Sequence, residues 1–162
     1  MAVVEKPKLR LYNSVKSNLG LEEYLLSLKD PHRKLLARLR CSSSELSVER
    51  DRWKSISRED RKCQVCDSGK VEDENHFLLE CHGYNREREE MYENIRLGTS
   101  RSFDFKLMIH DTRWLMDALI GRNVGEVPDR HVIRYEVGEY LLKAFKLRRE
   151  RLGLEAEEAS SY

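Results

Sequence analysis

Three cysteines and a histidine in the order Cys63-x2-Cys66-x9-His76-x4-Cys81 constrain this chain more than any other feature. Two cysteines separated by two residues can face one ion, because Gln64-Val65 between them makes a tight turn whose amides can bond the thiolates. Three thiolates and one imidazole suit a single Zn2+ in tetrahedral geometry. With all four positions taken by protein the site is closed to water, and it reads as structural.

The other uses of such thiols fit less well. A redox pair of the thioredoxin type follows a strand in a βαβ setting, which the pattern here lacks. The start MAVVEKPKLR has no apolar core of a signal peptide, so a disulfide framework is not expected, and ordinary buried thiols are the remaining alternative. Cys41 stands 22 positions ahead of Cys63 and reads as a plain core or surface thiol.

The local geometry is demanding. Ser68-Gly69 signals a turn, and Asp73 can cap a helix entering at Glu74. At roughly 100° per residue, five positions along a regular helix place His76 and Cys81 about 140° apart. The helix must therefore end or unwind near Cys81, as His82-Gly83 permits. His82 itself is a poorer ligand, since adjacent side chains seldom converge on one ion.

Elsewhere the apolar residues recur with helical spacing. The expected fold is mainly α: a small multi-helix domain organised around one structural zinc knuckle. Residues 1–62 form a basic helical segment, with 15 Lys and Arg against 9 Asp and Glu. Within it PHRKLLARLR follows Asp30-Pro31, a natural helix start, whereas 45–62 reads equally as a short strand or another helix. Residues 63–98 hold the metal ligands and a helix seamed by Tyr84, Met91, Tyr92 and Ile95, its other charges paired at the surface in the manner of Arg88-Glu89. Residues 99–152 supply a helix capped by Asp111 or Thr112 and a long one capped by Asp129, packing on the rest as one domain. The tail 153–162 reads as disordered.

The run CQVCDSGKVEDENHFLLECHGYNRER resembles the zinc-binding segment downstream of the polymerase in reverse transcriptases of non-LTR (LINE-type) retrotransposons. The resemblance implies Cys63, Cys66, His76 and Cys81 as zinc ligands, with Glu72-Asp73-Glu74 and Phe77-Leu78-Leu79 as framework. The flanks PKLRLYNSVKSNLGLEEYL, LARLRCSS and YLLKAFKLRRE are similar to such C-terminal tails too. A proline that often follows the last cysteine in that family is His82 here. No Tyr/Phe-x-Asp-Asp polymerase motif is present. The resemblance is thus to a non-catalytic accessory that holds RNA or target DNA beside a reverse transcriptase polymerase domain.

The expected contacts are Arg33, Lys34, Arg38 and Arg40 on one helix, with Arg52, Arg61 and Lys62 near the metal turn, all able to meet phosphates. Trp53 suits either an unpaired base or the core. The alternative is a structural or protein-interaction zinc module, or an inactive retroelement remnant. No nucleophile, base and orienting group come together, so no enzyme is expected. No run approaches the roughly 18 apolar residues of a membrane span, and an intracellular protein of nucleus or cytoplasm is expected, with no membrane partner.

Overall fold

Apolar residues spaced three and four apart give each long helix a stripe to bury, and here the stripes converge on one helix. The computed structural model describes residues 10–16, 20–100, 104–105, 109–120 and 125–154; most of the expected tail lies outside them. In chain order the elements are α1 (Arg10–Val15), α2 (Glu23–Ser27), α3 (His32–Arg40) and α4 (Ser47–Arg50), which runs into a 3-10 turn at Asp51–Lys54. A second 3-10 turn (Arg58–Asp60), a π-helical turn (His76–Glu80) and a third 3-10 turn (His82–Tyr84) follow. Then come α5 (Asn85–Gly98), α6 (Thr112–Leu119) and α7 (Val127–Leu152).

The protein is mainly helical. Among the described residues there is no strand, only one antiparallel bridge between Lys62 and Val71. The ambiguous stretch 45–62 therefore resolves into short helical turns and half of that bridge.

The 26-residue helix α7 is the axis, with α3 and α5 packed along it. Ile133, Val137, Tyr140, Leu141, Ala144 and Phe145 are buried on it, facing Leu36 and Leu39 of α3 and Met91 and Ile95 of α5 within one core. The α3 start comes so close to α7 that a Cβ at Gly138 would lie 2.5 Å from the His32 ring. Only glycine fits there.

Two helix starts differ from expectation. Asp111 accepts from the Trp114 amide at 3.0 Å and caps α6 as expected. Asp129 does not cap α7, which begins two residues earlier at Val127 with Pro128 in its first turn. Its buried carboxylate instead accepts from the Ser100 amide at 2.7 Å and hydroxyl at 2.9 Å, tying the end of α5 to the start of α7. Asp30 likewise leaves the α3 amides alone and pairs with Arg33 (3.1 Å) and Lys34 (3.0 Å).

Charge also enters the core. Among the described residues the three largest fully buried side chains are Arg40, Arg134 and Arg148. Arg40 meets Glu22 at 3.1 Å and Arg134 meets Glu23 at 3.1 Å, so two adjacent acids pin the short helix α2 to α3 and α7. A chain that is 36% charged thus completes its interior with paired guanidinium groups, which remain buried only because acids and carbonyls answer them.

Candidate metal centre

The bridge at Lys62–Val71 closes a loop that begins and ends the first half of the site. The Cys63 amide donates to the Lys70 carbonyl at 2.9 Å and the Glu72 amide to the Arg61 carbonyl at 2.9 Å. Inside the loop the Val65 and Cys66 amides bond the Cys63 sulfur. Asp73 then caps the helical turn as expected, its carboxylate accepting from the His76 amide at 3.0 Å.

The geometric problem between His76 and Cys81 is solved by underwinding. From His76 to Glu80 the backbone is π-helical, and the Cys81 amide donates to the His76 carbonyl at 2.7 Å. An i→i−5 bond closes a wider turn than the α-helical one, which brings residue i+5 back toward residue i. The same widening leaves carbonyls without helical partners, and distant side chains take them. Tyr140 Oη donates to the Phe77 carbonyl at 2.6 Å. Arg88 donates from Nε to the Leu78 carbonyl at 2.8 Å and from Nη2 to the Cys81 carbonyl at 2.7 Å.

Past Cys81 the 3-10 turn carries a second amide, that of Gly83, to the Cys81 sulfur. A Cβ on Gly83 would fall 2.7 Å from Val65 Cγ1, so the turns holding Cys63 and Cys81 pack directly on each other. Arg151 Nη1 donates to the Gly83 carbonyl at 2.9 Å from the end of α7.

Together these turns bring the Sγ atoms of Cys63, Cys66 and Cys81 and a ring nitrogen of His76 within 4.8 Å of one another. Cys63 Sγ lies 3.8 Å from Cys81 Sγ, and Cys66 Sγ lies 3.3 Å from His76 Nε2. Tetrahedral zinc with bonds of about 2.3 Å to sulfur and about 2.0 Å to nitrogen would set edges of roughly 3.8 Å and 3.5 Å. The four side chains can hold a metal ion, and their chemistry and spacing are compatible with zinc. Three are buried and Cys66 is half-buried.

Electrostatics agree with a thiolate site. The Cys81 thiol beside it, with the Val65 and Cys66 amides, holds Cys63 down to about 5, while its neighbour and burial push Cys81 up. A bound cation would displace the protons that remain on the thiols. His82 lies outside, its Nε2 3.1 Å from Asp67.

His76 turns Nε2 to the Cys66 sulfur, and its buried Nδ1, which makes no hydrogen bond, lies 3.6 Å from Glu80 Oε2. Glu80 is held by Lys70 Nζ (2.9 Å) and Asn75 Nδ2 (2.9 Å). A carboxylate that closes to hydrogen-bond distance behind a ligating imidazole fixes its tautomer and raises its basicity, and Glu80 is the carboxylate placed to do so when a metal is bound. Glu80→Gln is expected to weaken cobalt(II) affinity roughly 10–100-fold, read by competition with a chelator, with the helical signal unchanged. Equal affinity would show that Glu80 does not orient His76.

No known family, curated protein or solved structure matches the chain.

The residues expected to meet nucleic acid are scattered by the fold. Lys34 and Arg38 line a groove between α3 and α7 with Arg149, while Arg33 also donates to the Leu25 carbonyl at 3.3 Å. Arg40 drops out. It is buried, its Nη1 donates to the Ile120 carbonyl at 3.0 Å, and its guanidinium lies 4.6 Å from the Tyr24 ring centre. Arg61 drops out as well, since it donates to the Val48 carbonyl (2.7 Å) and twice to that of Ile56 (3.0 and 2.8 Å).

Lys62 stands exposed at the bridge. Arg52 pairs with Glu49 at 3.1 Å and covers part of the Trp53 ring at 5.1 Å. Of the two places open to Trp53, the core is excluded, because the side chain is 74% exposed.

Sequence reasoning missed Arg88, Tyr140 and Arg148 as supports of the site. Arg88, expected in a surface pair with Glu89, is buried against the Leu78 and Cys81 carbonyls.

Proposed function

We propose that the chain is a metal-stapled, non-catalytic module that binds nucleic acid, of the kind found as an accessory to retrotransposon reverse transcriptases. The observation that carries the metal part is the donor set itself, three cysteine sulfurs and an imidazole within 4.8 Å of one another. Bound zinc would use all four positions for protein, which leaves none for a substrate or a water, so its chemistry is that of a fold staple. Cys63, Cys66, His76 and Cys81 hold the ion, and Glu80 orients the histidine.

Nucleic-acid binding is supported by the retrotransposon resemblance of residues 63–88 and by the cations that remain at the surface. Arg33, Lys34 and Arg38 lie on α3, with Arg52 and Lys62 near the metal loop. Exposed ion pairs such as Lys34–Asp30 are worth little and exchange readily for a phosphate. The companion expectation, docking onto a polymerase domain, rests on the retrotransposon resemblance alone. No helix among the described residues is long and apolar enough to cross a membrane.

The test is anisotropy of labelled RNA and DNA with zinc-loaded protein at two salt concentrations. Charge reversal at Arg33, Lys34 and Arg38 is expected to weaken binding and to flatten the slope of log K against log salt by about 2–3, at roughly 0.7–0.9 for each phosphate no longer neutralised. Unchanged slope and affinity would show that α3 is merely solvated.

A further inference from the structure

The loop that carries Trp53 is built to hold an aromatic ring in water. Trp53 sits in the 3-10 turn Asp51–Lys54 with 74% of its surface exposed, the most exposed of the large apolar residues among those described. Large apolar side chains left singly in solvent are common, but they are seldom braced. This one is. Ser55, directly after the turn, adopts φ 57°, a left-handed conformation that costs a non-glycine residue energy and that the surroundings must impose.

They do so from several sides. Arg61 commits its guanidinium to the loop, with two bonds to the Ile56 carbonyl and one to that of Val48. The Ser55 amide returns to the Arg52 carbonyl at 3.3 Å. Arg52, tied to Glu49, lies against part of the indole and limits where the ring can swing. Arg50 (3.4 Å) and Lys54 (3.1 Å) share the single carboxylate of Asp51. The turn thus carries three cations, Arg50, Arg52 and Lys54, against the acids Glu49 and Asp51, and Lys54 reaches into solvent.

We infer that Trp53 is a stacking platform for an unpaired nucleobase, with Arg52 and Lys54 placed for the flanking phosphates and Arg61 as the residue that positions the loop. This rests on the nucleic-acid reading above and adds the strand state. A fixed indole with an open face gains by stacking on a base whose own face is free, and each such contact is sequence-tolerant. In a duplex those faces are taken by neighbouring base pairs. Duplex recognition by α3 is weakened by the structure itself. The helix has nine residues and its Arg40 is buried. A single-stranded ligand fits what remains.

The experiment compares labelled single-stranded oligouridylate with the same strand in a duplex, by anisotropy at low salt, using zinc-loaded wild type, Trp53→Ala and Trp53→Phe. Stacking losses on alanine substitution correspond to roughly 5- to 150-fold in affinity per base. Trp53→Ala is expected to lose that much for the single strand and little for the duplex, and Trp53→Phe to recover most of it. Because the side chain is in solvent, circular dichroism of all three proteins should coincide. Wild-type affinity of Trp53→Ala for the single strand, or equal losses on both probes, overturns this inference and leaves the nucleic-acid reading standing. No binding of either probe by the wild type overturns both.

Discussion

Removing the metal with a chelator, or replacing His76 by alanine, is expected to collapse most of the helical signal and to abolish the thermal transition. The reason is where the site sits. Its four donors come from the loop 63–66, the π-helical turn and the turn after it, and between the last two lies Phe77, fully buried. Phe77 packs on Tyr84 (5.0 Å between ring centres), Tyr140 (5.8 Å) and Phe145 (4.8 Å), the last two on α7.

Without a cation the cluster must keep a thiolate in a largely buried setting or protonate it and lose its amide bonds. The π-helical turn, an uncommon and strained form of backbone, then has less to hold it open. Structural zinc contributes on the order of 10 kcal/mol or more to small domains. Stability of a chain this size is about 5–15 kcal/mol in total, so loss of the ion consumes most or all of it. Far-UV circular dichroism and melting with and without chelator decide the matter. Identical spectra and midpoints would show that α3, α5 and α7 stand alone, and that the cysteine cluster is no staple.

The four donors were legible because ligand spacing is a local property. So were α6 and its Asp111 cap, α3, and the apolar stripe of α7, because periodicity and capping act within a few residues. The bend needed at Cys81 was legible too, but its form was not. A π-helical turn survives here only because Tyr140, 63 residues away, and Arg88 accept the task of satisfying its carbonyls. Nothing within five residues of His76 announces that.

Arginine misled for a related reason. On composition alone it belongs at the surface. Yet Arg148 continues the series Val137, Leu141, Ala144 along α7, and Arg88 lies between Tyr84 and Met91 on the seam of α5, so both stand where an apolar residue is due. An arginine on the buried stripe of a helix is a signal for a buried partner, and that rule would have found both. Trp53 had no such aid, since residues 45–62 follow no period and its exposure depends on Arg61 and Asp51 acting across the loop.

The second large effect is expected at Glu72 and Arg148, which connect the metal loop to the axis of the fold. Both side chains are fully buried. Arg148 donates from Nε to Glu72 Oε1 and from Nη2 to Oε2, each at 2.8 Å, in the planar two-bond arrangement that favours arginine. The amide and hydroxyl of Ser47, at the start of α4, add two bonds of 2.7 Å to Oε2. One carboxylate therefore joins α4, α7 and the segment just ahead of the Asp73 cap and His76.

Such a pair is costly to form and more costly to break, since a lone partner is a buried charge without an answer. Arg148→Met is expected to destabilise the metal-loaded protein by about 3–5 kcal/mol in urea unfolding, and Glu72→Gln by a similar amount. The double variant Glu72→Gln/Arg148→Met tests the cause. Its amide can still accept from Ser47 while no charge is stranded, so it should be more stable than either single variant. Added salt should leave the wild-type pair unaffected, because screening reaches exposed ions and hardly touches buried ones. A double variant no better than the singles would mean that packing of the arginine stem, rather than its charge, holds α7 against the metal loop.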